Sequence, residues 1–144
     1  MTEHAVERRP DPARSPGRDG SGFVLEGVRV RSALLHLDGV FEPAYLVVDG
    51  EVDLTTHAAF TTALSSVVEH GCGDVWVDVE RLTFIDVGGL RALAAAACRL
   101  GLQDRRLVLR SVAPHLARLM DLVGWSQIPS LQMLARDETR PSRP

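Results

Sequence analysis

RLTFIDVGGLRALAAAACRL, Arg81 to Leu100, runs from a strand end through a carboxylate and two glycines into an alanine-rich apolar segment. Asp86 is placed to cap a helix, because its carboxylate can accept from first-turn amides that have no partner inside the helix. Gly88 and Gly89 leave those amides uncovered, and such a helix start attracts anions. Leu90, Leu93, Ala94 and Ala97 recur at helical spacing and form an inner face whose alanines allow close packing on a sheet. The stretch therefore reads as a strand passing directly into a helix, the unit from which α/β layers are assembled.

Outward from this join, apolar runs and helical patterns alternate. Ala44 to Val48 is a compact strand closed by Asp49 and Gly50. Phe60, Ala63, Leu64, Val67 and Val68 fall on one helical face, with Thr55 or Thr56 as cap and Gly71 beyond the end. Val75 to Val79, apolar apart from Asp78, suits a central parallel strand covered on both faces. Arg106 to Leu109 is the next strand. Pro114 fits the first turn of a third helix carrying Leu116, Leu119, Met120 and Val123, with Gly124 as its stop. Leu131 to Leu134 is a last short strand, and Ser32 to Leu37 is a better first strand than the weakly alternating Phe23 to Val30. The expected fold is α/β: one domain with four to five mostly parallel strands and helices starting near Thr55, Val87 and Pro114.

Residues 1–22 are rich in Pro, Gly, Ser and Arg and show no apolar period, so they read as a disordered tail. Residues 136–144 are similar in kind, which leaves 23–135 as the folded part. A chain of 144 residues has room for one domain with a substantial core. Its 45% hydrophobic and 24% charged residues fit a globular protein. The net charge of -3, with every basic residue an arginine, gives no basic field for nucleic acid. Cys72 and Cys98 form no CxxC pair, so neither a disulfide framework nor a zinc site is signalled. No run approaches the ~20 apolar residues of a membrane helix. The expectation is a soluble, cytoplasmic protein that engages neither membrane nor nucleic acid.

Catalytic signatures are absent. There is no GxxxxGK[ST], GxSxG or HExxH, and no GxGxxG after a strand. His36, His57, His70 and His115 are scattered over different elements. No nucleophile, base and orienter can be named together, so no enzyme, catalytic residue, metal or cofactor is expected. What remains is the pair GEVD, Gly50 to Asp53, and FIDVGG, Phe84 to Gly89. Both lie where a strand hands over to a helix, and in a parallel sheet such ends share an edge. Asp53 and Asp86 either cap their helices alone or also meet a partner; capping does not exclude binding.

Three segments in order carry a resemblance to the STAS family, the sulfate-transporter and anti-sigma-factor-antagonist domains, across Ser32 to Leu134. VVDGEVDLTTHAAF resembles the family's second strand and "GELD" approach to its first helix, LTFIDVGGLRAL resembles its "FIDSSGL" helix start, and SVAPHLARLMDLVGW resembles its third helix. The resemblance implies a small α/β domain without catalysis that binds through the edge around its first two helix starts. In bacterial anti-sigma factor antagonists it implies a serine/threonine kinase-like anti-sigma factor of the GHKL ATPase type as partner. That kinase phosphorylates a serine or threonine directly after the motif's Asp.

This sequence has Val87 there and Gly88 at the second serine position, so no phospho-switch operates at that point. The implied partner-binding residues are Asp53, Thr55, Thr56, Phe84, Asp86, Val87, Gly88, Gly89, Leu90 and Arg91. Asp53 and Asp86 supply charge, and Val87 and Leu90 an apolar centre. Two readings stay open for Val87, docking surface or buried first-turn residue, and two for Arg91, paired or solvated. A rival reading is a STAS subunit that braces the ATPase of an ABC-type transport system, whose members share the D-x-G-G-L helix start. A scaffold or decoy that has lost switching is a third. The oligomeric state leaves no sign in the sequence.

Overall fold

Three antiparallel pairings followed by three parallel ones make the sheet, and its strands lie in sequence order. The structure, a computed structural model, describes residues 6–8 and 27–136. Its strands are β1 (Val6–Arg8), β2 (Gly27–Arg31), β3 (Leu35–Phe41), β4 (Ala44–Val52), β5 (Val75–Ile85), β6 (Leu107–Val112) and β7 (Leu131–Ala135). The helices α1 (His57–His70), α2 (Val87–Gly101) and α3 (Pro114–Leu122) supply the crossovers, the last followed by a 3-10 turn at Trp125–Gln127. Among the described residues, no helix is long and apolar enough to cross a membrane.

From β4 to β7 each parallel strand is added on the same side of its predecessor. Crossovers of one hand then place every helix on one face. Burial agrees: in β4 and β5, Ala44, Leu46, Val48, Val75, Val77 and Val79 are buried, whereas Tyr45, Val47, Trp76 and Asp78 between them are only half-buried. The core fills the helix side, where Phe60, Leu64 and Val67 of α1, Leu90, Leu93 and Leu100 of α2, and Leu116 and Met120 of α3 join one cluster. On the opposite face Val40, Tyr45, Trp76 and Val108 stand in register across four strands.

Several expectations are corrected here. The sheet has seven strands, not four or five, and is parallel only over β4–β7. Val75–Val79 is not covered by helices on both faces. The first strand of the main body is Gly27–Arg31, and Ser32 instead turns the chain, its amide donating to the Leu35 carbonyl at 3.0 Å and its hydroxyl to the same oxygen at 3.1 Å. Val6–Arg8 pairs antiparallel with β2 inside the segment read as a tail. The remainder of 1–22 and residues 137–144 lie outside the described residues. Arg136, assigned to the C-terminal tail, is tied in by its amide, which donates to the Val112 carbonyl at 2.9 Å.

β4 does not end at Asp49–Gly50 but continues to Val52, through register irregularities against β5 on either side of Gly50. Gly50 sits at φ 123°, and a Cβ there would lie 2.1 Å from the Leu34 carbonyl oxygen. This close approach lets the β2–β3 turn rest against β4, with the Glu51 amide donating to Leu34 at 2.9 Å. Gly50→Ala therefore meets both an unfavourable backbone and a clash, and should lose more than about 1 kcal/mol of stability in urea unfolding. A loss within experimental scatter would show that the turn moves freely.

Candidate functional site

Asp86 does two things at once. Its amide donates to the Val52 carbonyl at 3.0 Å, locking the end of β5 to the end of β4. Its carboxylate accepts from the Gly89 amide at 2.9 Å, which is the N-cap bond of α2. Gly89 has no room for a side chain: a Cβ would stand 2.6 Å from Ile85 Cγ1 and 2.8 Å from Val52 Cγ1. The helix start is thus pressed directly onto the two strand ends. Gly88, half-buried, has its carbonyl 3.3 Å from His57 Nε2, whose N–H can donate to it and join the start of α1 to the start of α2.

The approach to α1 is held by a compact polar network. Asp53 Oδ1 accepts from the Thr55 hydroxyl at 2.8 Å, the Thr55 amide at 2.9 Å and the Thr56 amide at 3.2 Å. The Thr55 hydroxyl bond, opposed by desolvation and supported to a lesser extent by these amides and the Thr56 hydroxyl, holds the Asp53 carboxyl below its ordinary value. Thr56 occupies the N-cap position of α1 but caps nothing with its side chain. Its hydroxyl donates to the Glu51 carbonyl at 2.8 Å and accepts from the Asp53 amide at 2.9 Å.

The ten residues proposed from the sequence divide sharply by exposure. Asp53, Asp86 and Gly88 are half-buried on this edge, and Thr55, Phe84, Val87 and Arg91 are exposed. Val87 is 57% exposed, so the buried first-turn reading does not hold. Leu90 is 1% exposed and packs in the core; it cannot form an apolar surface centre with Val87. Thr56 and Gly89 are also buried, and they shape the edge without presenting side chains. Two exposed residues escaped the sequence reading. Leu54 is 86% exposed between Asp53 and α1, and Leu34 lies at the β2–β3 turn. An apolar residue with no periodic partner, set between Asp53 and two threonines, was the available signal for Leu54. His57 was read only as one of several scattered histidines; nothing in its spacing marked the link to Gly88.

Among the described residues no three His, Cys, Asp or Glu converge as a metal site. What the edge offers is a hydrogen-bonded surface with exposed apolar side chains beside carboxylates, a suitable design for docking a protein. A one-sided α/β domain presenting two helix starts at one edge is a binding module in form. The family model described as "Mlab, STAS domain" matches residues 35–135, and the chain belongs to the STAS family.

Its relatives are antagonists. The anti-sigma-B factor antagonist of Staphylococcus aureus is 26% identical over 77 residues, 54% of this chain and 71% of that protein. The crystal structure of an anti-sigma factor antagonist from Mycobacterium paratuberculosis is 28% identical, covers 62% of this chain and 75% of that one, and superposes with a TM-score of 0.52. Unphosphorylated SpoIIAA, an anti-sigma factor antagonist, shares the fold with a TM-score of 0.54 at 18% identity, over 73% of this chain and 91% of its own. This is an antagonist-like STAS domain.

The network makes ordered predictions for stability. Asp86→Ala should cost about 1 kcal/mol, the usual worth of an N-cap. Thr56→Val removes a buried donor and acceptor together, leaves the Glu51 carbonyl and Asp53 amide unmatched, and should cost more, about 1–3 kcal/mol. Equal losses in chemical denaturation would overturn that order. Because the folded-state value of Asp53 is lowered, its stabilisation is complete above the ordinary aspartate value and disappears as pH falls through the lowered one. Parent and Asp53→Asn stability curves should therefore converge in acid and separate toward neutrality.

Proposed function

We propose that this chain is an anti-sigma factor antagonist that acts by stoichiometric binding to a kinase-like anti-sigma factor of the GHKL ATPase type, displacing a sigma factor. The observation that carries the reading is the exposure of Val87 beside Asp53 and Asp86, at the strand-to-helix join of an antagonist-like STAS domain. Displacement needs only differential affinity, so a binding surface without catalysis is sufficient. Val87 is taken as the counterpart of the phosphoacceptor. Having no hydroxyl, it leaves the protein permanently competent and controlled by its abundance. The protein acts in the cytoplasm, where such a partner resides.

The second reading, a subunit bracing a transport ATPase, is favoured by the Asp86-x-Gly88-Gly89-Leu90 helix start. Capture of the bound ATPase from native cells and its identification separate the two: a GHKL-type kinase supports the antagonist, an ABC-type ATPase the transport subunit. With the kinase in hand, Val87→Ser should gain phosphate from ATP. The added charge of about -2 beside Asp53 and Asp86 should weaken the complex. Val87→Glu should weaken it in the same direction with no kinase activity required. A folded Val87→Glu variant that binds as tightly as the parent would place the interface elsewhere.

A further inference from the structure

The face of the sheet turned away from the helices carries an apolar patch whose continuity is set by strand register. Val40 on β3 pairs with Tyr45 on β4, and Tyr45 pairs with Trp76 on β5, so neighbouring side chains on this face stand about 5 Å apart. Val47, two residues beyond Tyr45, points the same way and adds a second row. All four are half-buried, whereas Val108, beside Trp76 on β6, is already buried within the chain. Among the described residues, the three helices pack on the other face. The Tyr45 hydroxyl accepts from Arg110 Nη1 at 2.8 Å and donates to Asp78 Oδ2 at 3.3 Å, so the polar groups bordering the patch have partners inside the chain. Single exposed apolar residues are ordinary on a protein surface, but a contiguous aromatic and β-branched patch rimmed by charge marks an interaction surface.

We infer that this face pairs with the same face of a second copy of the chain, the two sheets packing with aligned strands about a two-fold axis along the β4–β5 seam. Charge selects both the occupant and the axis. In the row beside the patch, Asp38 on β3 and Arg110 on β6 stand in register through Val47 and Asp78. They lie on opposite sides of the seam, each one strand beyond the central pair. Rotation about the seam exchanges β3 with β6 and β4 with β5, so Asp38 of each copy meets Arg110 of the other. The same rotation sets Tyr45 over Trp76. Within one chain Asp38 and Arg110 are three strand spacings apart, about 14 Å, and do not pair. Asp38 does touch Arg29 at 3.3 Å and Arg31 at 3.5 Å, but both are exposed pairs of little strength. Shape agrees, because twisted sheets pack face to face with their strands nearly aligned and side chains interdigitating. A face four strands wide makes a small interface, and the dimer dissociates in the micromolar range. With the axis along the strands, both copies carry the starts of α1 and α2 at the same end of the assembly. The pairing does not depend on the antagonist reading.

Analytical ultracentrifugation of the full chain over a dilution series tests the pairing. The parent should pass from dimer to monomer mass, and Trp76→Ser should shift the midpoint to about tenfold higher concentration or more. Asp38→Arg and Arg110→Glu should each weaken the dimer by about threefold or more, because each sets like charges together across the axis. Mixed in equal amounts, the two variants should recover the dimer, since Arg then meets Glu at one contact and Asp meets Arg at the other. Melting transitions equal to the parent's confirm that the variants fold. Should they not fold, Trp125→Phe leaves Trp76 as the sole tryptophan without altering the face. Its emission should move to the red over the same dilution that halves the mass. A dimer that Trp76→Ser leaves unchanged, folded charge variants that do not recover on mixing, or a Trp76 emission that stays fixed while the dimer dissociates would overturn the proposal. So would a parent that remains monomeric up to about 1 mM, which would leave the face to another protein or another part of this chain.

Discussion

The parallel pairing of β4 with β5 is the constraint on which the rest of the edge depends. It brings two strand ends level, and the Asp86 amide closes the pair on the Val52 carbonyl at 3.0 Å. Both chains must then turn at the same height, and both turn into helices. The proximity of α1 and α2 starts is thus a consequence of register, reinforced by His57 against the Gly88 carbonyl. Gly89 permits the closest part of that arrangement, since any Cβ would strike Val52 and Ile85.

The polar residues of this edge work inward before they work outward. Thr56 spends its hydroxyl on Glu51 and Asp53, and Asp53 gathers the amides that precede α1. These bonds fix the backbone, and fixed backbone holds Leu54 and Val87 at the surface despite their apolar character. A surface prepared in this way would lose little conformational entropy on docking, which favours affinity without enlarging the contact. In the proposed function, the residues that stabilise this edge, Asp53 and Asp86, are also the ones that would meet the partner.

Much of this was legible in the sequence because the helices follow the 3.6-residue period. Phe60, Leu64 and Val67, or Leu93 and Ala97, could face only inward, and Pro114 marked a helix start. The same period already placed Leu90 with Leu93; reading Leu90 as surface followed motif position over helical geometry. The strands were harder. Asp38 and Gly39 sit inside β3, and Gly50 inside β4, where polar and small residues suggest loops unless the partner strand is known. The strand end before Asp86 was legible, but its union with Val75–Val79 in one strand was not, because Val79, Leu82 and Ile85, which face the core, break the two-residue alternation. Leu34 and Leu54 were silent because an isolated leucine in a turn has no pattern until the fold supplies its neighbours.

The strand order carries one more consequence, for the way the chain acquires its fold. Each strand pairs with the one immediately before it in sequence, so Tyr45 meets Trp76 and Trp76 meets Val108 after a single crossover each. Among the described residues, no strand is inserted between two that precede it, and no contact within the sheet joins the first strand to the last. Loop-closure entropy is met locally, in short turns between β2, β3 and β4 and in longer helical crossovers from β4 onward. The sheet can grow by addition at one edge as the polypeptide leaves the ribosome, and β4, β5 and the starts of α1 and α2 are complete before β6 and β7 are made. The strand ends of β4 and β5, with the starts of α1 and α2, belong to the portion synthesised before β6 and β7.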